Sequence, residues 1–284
     1  MTGQDNSASQ GDTASQGDTA SQGQIASVRL EPYPGDERLA ILRIDRPPVN
    51  AFDQAMWDLF AAVATALHAS TQYRAVVITG GPRHFAAGAD VKGLLGLAPE
   101  QFDARNRVLQ RAFHALATVP QVTIAAVNGY ALGGGCELAL AADFRFAGRS
   151  AVFGLPEITL GIMPGSGGTQ RLPRVVGTAS AKDLILTGRL VRADEALAIG
   201  LADRVLDDGD VLDTAIAEGL AFARGPAALR YAKQAVDAAL GLRVDDGLAL
   251  EADLIARCFA TRDAQDWLRS FVDDGPRKAT FHGR

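Results

Sequence analysis

The sequence is poor in cysteine and histidine. Its 284 residues include two cysteines and four histidines. Cys136 and Cys258 form none of the short spacings that are typical of zinc sites or redox pairs. The sequence therefore predicts neither a metal centre nor a disulfide framework, and we expect a reducing, cytoplasmic setting. We interpret Cys136 as a small buried thiol beside a helix start rather than as a nucleophile.

Long apolar runs and clusters of positive charge are also missing. No apolar run reaches the ~20 residues that span a bilayer, and no basic segment followed by an apolar stretch marks a signal peptide. The 28 Lys and Arg residues are scattered among 33 Asp and Glu residues, which gives a net charge of −5. We therefore expect neither a membrane nor a nucleic acid to be a partner.

Residues 1–24 form a low-complexity segment. Ala-Ser-Gln-Gly-Asp-Thr occurs at residues 8–13 and again at residues 14–19. Between Met1 and Ile25 the segment contains no aromatic or large aliphatic residue. Such a composition cannot bury enough apolar surface to offset the entropy lost on ordering, so we predict a disordered tail.

The rest of the chain alternates between strand and helix patterns. Residues 25–31 and 39–44 predict a β-hairpin, residues 53–70 and 98–116 predict helices, and residues 75–79 and 122–127 predict buried strands. Shorter strands are predicted at 144–146, 151–153 and 203–206, and short helices at 180–187 and 193–199. This alternation favours an α/β fold with parallel strands between residues 75 and 206. From residue 209 onward we predict three helices with breaks near Gly225 and Gly241, so residues 25–206 would form the core and 207–284 a helical region.

The most informative segment is residues 128–137, Asn-Gly-Tyr-Ala-Leu-Gly-Gly-Gly-Cys-Glu. Its three consecutive glycines fall where a strand ends and a helix begins, and a glycine there allows a backbone N–H to approach a ligand closely. Glu137 follows in the first helical turn, where a carboxylate is electrostatically favoured. Peptide donors beside an acid can stabilise an oxyanion and move a proton. A tight turn followed by a purely structural glutamate remains an alternative.

Two further segments are also candidates for part of a functional site. Residues 85–92 place small residues directly after a buried strand, and residues 154–158 hold Glu157 after a proline in an apolar stretch. Acidic side chains are rarely buried without a partner or a purpose. Residues 161–168 form another glycine-rich helix entry, but they lack the Lys-Ser/Thr ending of a P-loop, and no Rossmann fingerprint occurs in the right context.

Together, residues 85–92, 128–137 and 153–172 resemble the crotonase (enoyl-CoA hydratase/isomerase) superfamily, most closely the enoyl-CoA hydratases. The resemblance runs from about Ile25 to residue 274. It implies a crotonase-like spiral of ββα turns with a C-terminal helical trimerisation region. It also implies an acyl-CoA substrate, no cofactor beyond the coenzyme A of that substrate, and a homotrimer or homohexamer.

The resemblance assigns roles to individual residues. Ala89 and Gly134 match the two positions whose N–H groups form an oxyanion hole, and Glu137 and Glu157 match the paired catalytic glutamates. By analogy, Glu137 acts on the water and Glu157 supplies the proton to Cα. The implied substrate-binding residues are Ala87, Ala89, Asp90, Val91, Lys92, Gly134 and Gly165. The first five lie in the segment from residue 87 to residue 92, which matches the family's loop that contacts the adenine end of coenzyme A.

This set of residues suits the hydration of a trans-2-enoyl-CoA. Two N–H donors would stabilise the charge on the thioester oxygen, and two carboxyl groups would deprotonate the water and protonate Cα. An enoyl-CoA isomerase, which needs only one carboxylate, and a non-catalytic acyl-CoA-binding protein are the alternatives. The net negative charge of the chain argues against an additional RNA-binding role.

Overall fold

A computed structural model describes residues 27–275 and 280–283. The described residues form nine strands: β1 (Val28–Tyr33), β2 (Asp36–Ile44), β3 (Ala75–Thr79), β4 (Val122–Val127), β5 (Tyr130–Leu132), β6 (Phe144–Gly148), β7 (Val152–Gly154), β8 (Val191–Arg192) and β9 (Arg204–Leu206). They also form nine α-helices: α1 (Gln54–Ala69), α2 (Pro99–Ala117), α3 (Gly134–Ala141), α4 (Gly168–Thr187), α5 (Ala193–Ala198), α6 (Val211–Ala223), α7 (Ala228–Ala238), α8 (Val244–Phe259) and α9 (Arg262–Asp274). Two short 3₁₀ helices cover Val91–Leu94 and Pro156–Leu160.

The strands form two sheets. The larger sheet has the order β1-β2-β3-β4-β6-β9, in which only the β1–β2 hairpin is antiparallel and the other neighbours are parallel. The smaller sheet has the order β5-β7-β8. The predicted hairpin and the parallel strands after residue 75 are therefore confirmed, and the two sheets belong to a mixed α/β fold.

The larger sheet is covered on both faces. On one face Leu42 and Ile78 pack in a cluster with Phe60 of α1 and Phe113 of α2. On the other face, Val77 belongs to a smaller cluster that includes residues of α6. Every residue of β3 and β4 is buried, as expected for strands with a core on each side.

The helical regions differ from the sequence-based prediction in two places. Residues 168–187 form one run with a kink at Gly177, whose φ of 79° interrupts the helix, rather than a short helix over residues 180–187. The C-terminal region has four described helices rather than three. The additional break lies between α8, which ends at Phe259, and α9. Thr261 caps α9 by accepting a hydrogen bond from Ala264 N at 3.2 Å, and neither glycine nor proline marks this break. The expected breaks near Gly225 and Gly241 are present.

The chain ends lie partly outside the described residues. The predicted disordered tail, residues 1–24, belongs to that part of the chain. Near the other end, residues 280–283 return to the fold, where His282 N and Gly283 N donate to the buried Asp263 carboxylate at 2.5 and 2.6 Å. None of the described helices combines the length and the apolar character that crossing a membrane requires.

Candidate active site

The glycine-rich segment forms the predicted strand-to-helix turn. Gly133 has a positive φ of 51° and immediately precedes α3, which begins at Gly134. At Gly135 a Cβ atom would lie 2.1 Å from the Ala86 carbonyl oxygen, so only glycine fits against that strand-like segment. The glycines therefore serve the backbone geometry of this turn and bring residues 85–89 alongside it.

Two backbone N–H groups meet at this junction without a partner. Phe52 forms a parallel bridge with Ala89 through the N–H of Phe52 to Gly88 O (2.7 Å) and the N–H of Asp90 to Phe52 O (2.9 Å). This pattern turns the N–H of Ala89 away from Phe52. Gly134 opens α3, so its N–H has no intrahelical acceptor. Within the part of the chain that the structure describes, no acceptor receives either N–H group.

Glu137 is held in the first turn of α3. Its side chain is 3% exposed, and its Oε1 accepts hydrogen bonds from Ser166 N at 2.7 Å and Gly168 N at 2.8 Å. Burial raises the pKa of Glu137, while the two backbone donors and the guanidinium of Arg171 oppose that rise. Among the described residues no donor reaches Oε2 of Glu137, which leaves this oxygen available to a water molecule.

Glu157 reaches the same place from the smaller sheet. The register pairs Leu132 of β5 with Gly154 of β7, and the 3₁₀ helix that begins at Pro156 follows directly. A Cβ atom at Gly133 would lie 3.2 Å from Glu157 Oε1, so this carboxyl group lies against the glycine turn. Burial, and to a lesser extent the charge of Glu137, raise the pKa of Glu157 to about 7. Its Oε2 is buried and has no partner among the described residues.

Both glutamates and the two residues that carry the free N–H groups, Ala89 and Gly134, line one cavity of about 420 Å³. Its remaining wall is mostly apolar and comes from α1, α2 and the loop between the second 3₁₀ helix and α4. Seven of the predicted site residues line this cavity: Ala87, Ala89, Val91, Gly134, Glu137, Glu157 and Gly165.

Asp90 and Lys92 do not line the cavity. Asp90 caps the first 3₁₀ helix by accepting from Lys92 N at 3.2 Å, and it pairs with Arg46 at 3.0 Å. Arg46 also pairs with Asp53 at the start of α1. These ion pairs fix the segment that forms one rim of the cavity, while their direct contact with a substrate stays a prediction.

Several functional neighbours were missed by the sequence analysis. Ser166 supplies a donor to Glu137 only through its backbone, which no side-chain pattern reveals. Arg171 donates to Ser166 O at 3.1 Å and to Phe113 O at 3.4 Å, and burial lowers its pKa while Glu137 opposes this. Asn106 of α2 fixes the cavity wall by donating to Gly165 O at 3.1 Å. The contacts of Arg171 and Asn106 join segments that are distant in sequence.

Cys136 lies one residue before Glu137 but is not a nucleophile. It is 1% exposed, and burial raises the pKa of its thiol to about 12. The thiolate is therefore negligible near neutral pH. This confirms the interpretation of Cys136 as a buried structural residue.

A larger cavity of about 990 Å³ lies between α2, α4 and α7. It contains neither glutamate and neither of the two free N–H donors. Its charged lining includes Arg174, and also Lys233, which pairs with Asp143 and with Asp237. Because the acid–base groups face the smaller cavity, we assign the chemistry there.

The family model for enoyl-CoA hydratase/isomerase matches residues 35–284. The crotonyl-CoA hydratase of Syntrophomonas wolfei is 38% identical over 249 residues, which cover 87% of this chain and 95% of that protein. The short-chain-enoyl-CoA hydratase of Clostridium acetobutylicum is 37% identical over 240 residues, covering 83% of this chain and 92% of that protein. The crystal structure of an enoyl-CoA hydratase from Bacillus anthracis matches with a TM-score of 0.85 at 33% identity, over 91% of this chain and 100% of that one.

Proposed function

The chain belongs to the enoyl-CoA hydratase/isomerase family, the crotonase superfamily, and on that premise we propose that it is an enoyl-CoA hydratase. It adds water across the double bond of a trans-2-enoyl-CoA to give a 3-hydroxyacyl-CoA. The observation that carries this proposal is the single cavity shared by Glu137, Glu157 and the free N–H groups of Ala89 and Gly134.

The two N–H groups act on the thioester oxygen. Attack of water at C3 moves negative charge onto this oxygen, and Ala89 N and Gly134 N donate to it as the charge develops. Because both donors are fixed by the bridge to Phe52 and by the start of α3, they need little reorganisation during the reaction. Removal of one such donor typically costs about 10²–10³ in rate.

The two glutamates divide the proton transfers. Glu137 accepts two backbone hydrogen bonds and has Arg171 nearby, which favour its ionised form, so it takes the proton from the attacking water. Glu157 lacks comparable donors, and its pKa of about 7 keeps a large protonated fraction near neutral pH. Glu157 therefore donates a proton to C2, and the pair exchanges the proton before the next turnover.

The coenzyme A moiety extends from the cavity along the segment after Ala87. Val91 is 45% exposed at this rim, and the ion pair between Asp90 and Arg46 holds the segment in place. Lys92 supplies a positive charge there for the adenine end of coenzyme A. We infer that turnover requires no cofactor beyond the coenzyme A of the substrate, because the acid, the base and the oxyanion donors all come from the chain.

An isomerase and a non-catalytic acyl-CoA-binding protein are the alternatives to a hydratase. An isomerase needs one carboxylate to carry a proton between two carbons, whereas here two carboxyl groups face one cavity from different elements. A non-catalytic acyl-CoA-binding protein has no use for a buried and a half-buried acid in one cavity, because removing carboxyl groups from water is costly. The paired glutamates therefore favour the hydratase.

We further propose a cytoplasmic homotrimer or homohexamer that serves fatty acid β-oxidation or related acyl-CoA metabolism. The C-terminal helices carry apolar side chains that the described residues leave exposed, including Leu248 (56%), Phe259 (59%) and Val272 (80%). Leu254 of α8, by contrast, is 3% exposed and packs within the chain.

The experiment that tests the function follows crotonyl-CoA by mass spectrometry and by the loss of its conjugated thioester absorbance. A hydratase produces a compound heavier by one water, and in ¹⁸O-labelled water that compound carries the label. A 3-enoyl-CoA converted to 2-enoyl-CoA without hydration would identify an isomerase, and binding without turnover would identify a carrier.

A further inference from the structure

Asn50 adopts an unfavourable backbone conformation at a buried position. Its φ is 55°, and no other described residue except glycine has a positive φ. The residue is 6% exposed. Asparagine tolerates the left-handed region better than most residues, but such a conformation persists only where the surrounding structure imposes it, often near a functional site. The contacts of the Asn50 side chain show what imposes it here.

The amide of Asn50 joins two segments of the chain. Its Oδ1 accepts a hydrogen bond from Arg46 N at 2.9 Å, which defines the orientation of the amide. Its Nδ2 donates to the carbonyl oxygens of Gly80, His84 and Phe85 at 2.8, 2.9 and 3.1 Å. Because an amide nitrogen carries only two hydrogens, the three carbonyl groups share them. Asn50 thus fixes the loop that runs from the end of β3 to Phe85.

This loop leads into the segment that carries the Ala89 N–H. Ala87 N donates to Val49 O at 3.0 Å, and Phe52 forms the parallel bridge with Ala89. Asn50 lies between Val49 and Phe52, on the stretch that these contacts hold against the loop. One amide therefore joins the stretch that orients the Ala89 N–H to the loop that precedes Ala89.

The second donor, the N–H of Gly134, is held by other contacts. Gly134 opens α3 after β5, and β5 binds the loop through backbone hydrogen bonds such as that from Ala86 N to Tyr130 O at 2.8 Å. The side-chain hydrogen bonds of Asn50 involve no residue of β5 or α3. Removal of the amide would therefore leave the loop attached to β5 but would free the stretch that orients Ala89. The expected result is a changed spacing between the two donors in a folded protein.

We propose that Asn50 is a positioning residue for the oxyanion hole. It sets the direction of the Ala89 N–H without touching the substrate, since it does not belong to the lining of the cavity. The inference rests on the proposed function and extends it to a residue outside the cavity.

Asn50→Gly is the test variant, because glycine accepts the positive φ and lacks the amide. With crotonyl-CoA, kcat should fall by about 10–10², since a small misplacement of a catalytic group is costly. KM should change by less than about threefold, because the donors act mainly on charge that develops in the transition state. Asn50→Asp keeps the Oδ1 acceptor but cannot donate when ionised, so it should lose at least as much activity.

Gln121→Leu is the matched control. Gln121 is 1% exposed, and its amide donates to Leu67 O at 2.9 Å and to Tyr73 O at 3.4 Å. It precedes β4, at the end of that strand away from the glycine turn. This variant also loses a buried amide that joins carbonyl groups, so it may lower the melting temperature, but it should leave kcat unchanged.

The infrared spectrum of a bound thioester separates positioning from folding. A hydrogen bond to a carbonyl oxygen lowers its stretching frequency, so butyryl-CoA with ¹³C at the thioester carbon reports the donors without turnover. Wild type and Gln121→Leu should show the same shift to lower frequency, and Asn50→Gly a smaller one.

A full shift and full kcat in Asn50→Gly would overturn the proposal. So would equal losses in Asn50→Gly and Gln121→Leu, or failure of both Asn50 variants to fold, since the amide would then serve stability alone. A wild type that shifts the carbonyl frequency but does not hydrate crotonyl-CoA would refute the hydratase function, while a smaller shift in Asn50→Gly would still support the role of Asn50.

Discussion

Gly88 lies so close to Gly134 that a Cβ atom on Gly88 would be 2.9 Å from the Gly134 nitrogen. The same atom would lie 2.7 Å from Leu132 O. Gly88 immediately precedes Ala89, so this contact sets the spacing between the two proposed oxyanion donors. The absence of a side chain at Gly88 thus allows two segments that are distant in sequence, residues 88–89 and 132–134, to lie close together.

Gly88→Ala should lower kcat for crotonyl-CoA hydration by at least about 10², because the added methyl group must push Ala89 and Gly134 apart. Gly81→Ala is the matched control. Gly81 has a φ of +89°, close to the +87° of Gly88, but a Cβ atom there would meet no atom within 4 Å. Both variants should lose about 1–2 kcal/mol of folding free energy from the left-handed backbone, whereas only Gly88→Ala should lose turnover. Thermal melts and steady-state rates separate the two effects, and equal rates in both variants would contradict the assignment.

The pH dependence of hydration should be bell-shaped. Glu157 must be protonated to act as an acid, so kcat/KM should fall as the pH rises above about 7, the value to which burial raises its pKa. Glu137 must be ionised to act as a base, so the rate should also fall at low pH, with a limb above the ordinary glutamate range because burial raises its pKa. Glu157→Gln should abolish the alkaline limb in the residual activity. An alkaline limb that persists unchanged in this variant would assign it to another group.

Arg171 should act as a positioning residue for Glu137. Its guanidinium holds Ser166 O at 3.1 Å, and the Ser166 N–H donates to the Glu137 carboxylate. Loss of the positive charge in Arg171→Gln should raise the pKa of Glu137 further and shift the acid limb of the rate profile to higher pH. Arg171→Lys keeps the charge and should restore part of the shift.

Arg174→Gln provides the control for this change. Arg174 lies on the same helix and donates to Gln170 O at 2.5 Å. Its replacement should leave the acid limb in place. If Arg171→Gln lowers the rate equally at every pH, its role is structural rather than electrostatic.

Much of the architecture could be predicted because it follows from local patterns. The almost wholly apolar strands β3 and β4 and the glycine turn before Glu137 can each be recognised from a few adjacent residues. The pairing of Glu157 with Glu137 was inferred from family resemblance, since nothing local connects β7 with α3. The structure supplies the physical reason, namely the register that places Gly154 beside Leu132.

Other features could not be predicted because their contacts are nonlocal or use the backbone. The Ser166 and Gly168 donors are peptide groups, whose partners do not depend on their side chains. The break at Thr261 lacks the glycine or proline that normally ends a helix pattern, although threonine is a good N-cap. Trp57 fits the apolar face of α1, and its unpaired indole nitrogen becomes evident only in three dimensions.

The C-terminal helices should bury apolar surface between subunits. We expect light scattering to give the mass of three or six chains at micromolar concentration. Replacing Phe259 and Val272 with Glu should dissociate the assembly, because a charged group would be desolvated in an apolar contact. The control is the same replacement at Leu95, which is also exposed (77%) but lies outside these helices. This change should leave the mass of the assembly unchanged. A monomer in the wild type would refute the proposal.

The two glutamates should behave as one unit. Glu137→Gln and Glu157→Gln should each reduce hydration of crotonyl-CoA by at least about 10², the lower end for acid–base groups. The amide keeps nearly the same volume, so folding and affinity for coenzyme A should change little. Once either proton transfer is lost, the other carboxyl group has little left to contribute, and the double variant should be barely slower than the single variants. An isomerase would tolerate one of the two changes when it processes a 3-enoyl-CoA. The hydratase assignment fails if either single variant keeps close to the full rate of hydration, because the proposed mechanism requires both carboxyl groups for its two proton transfers.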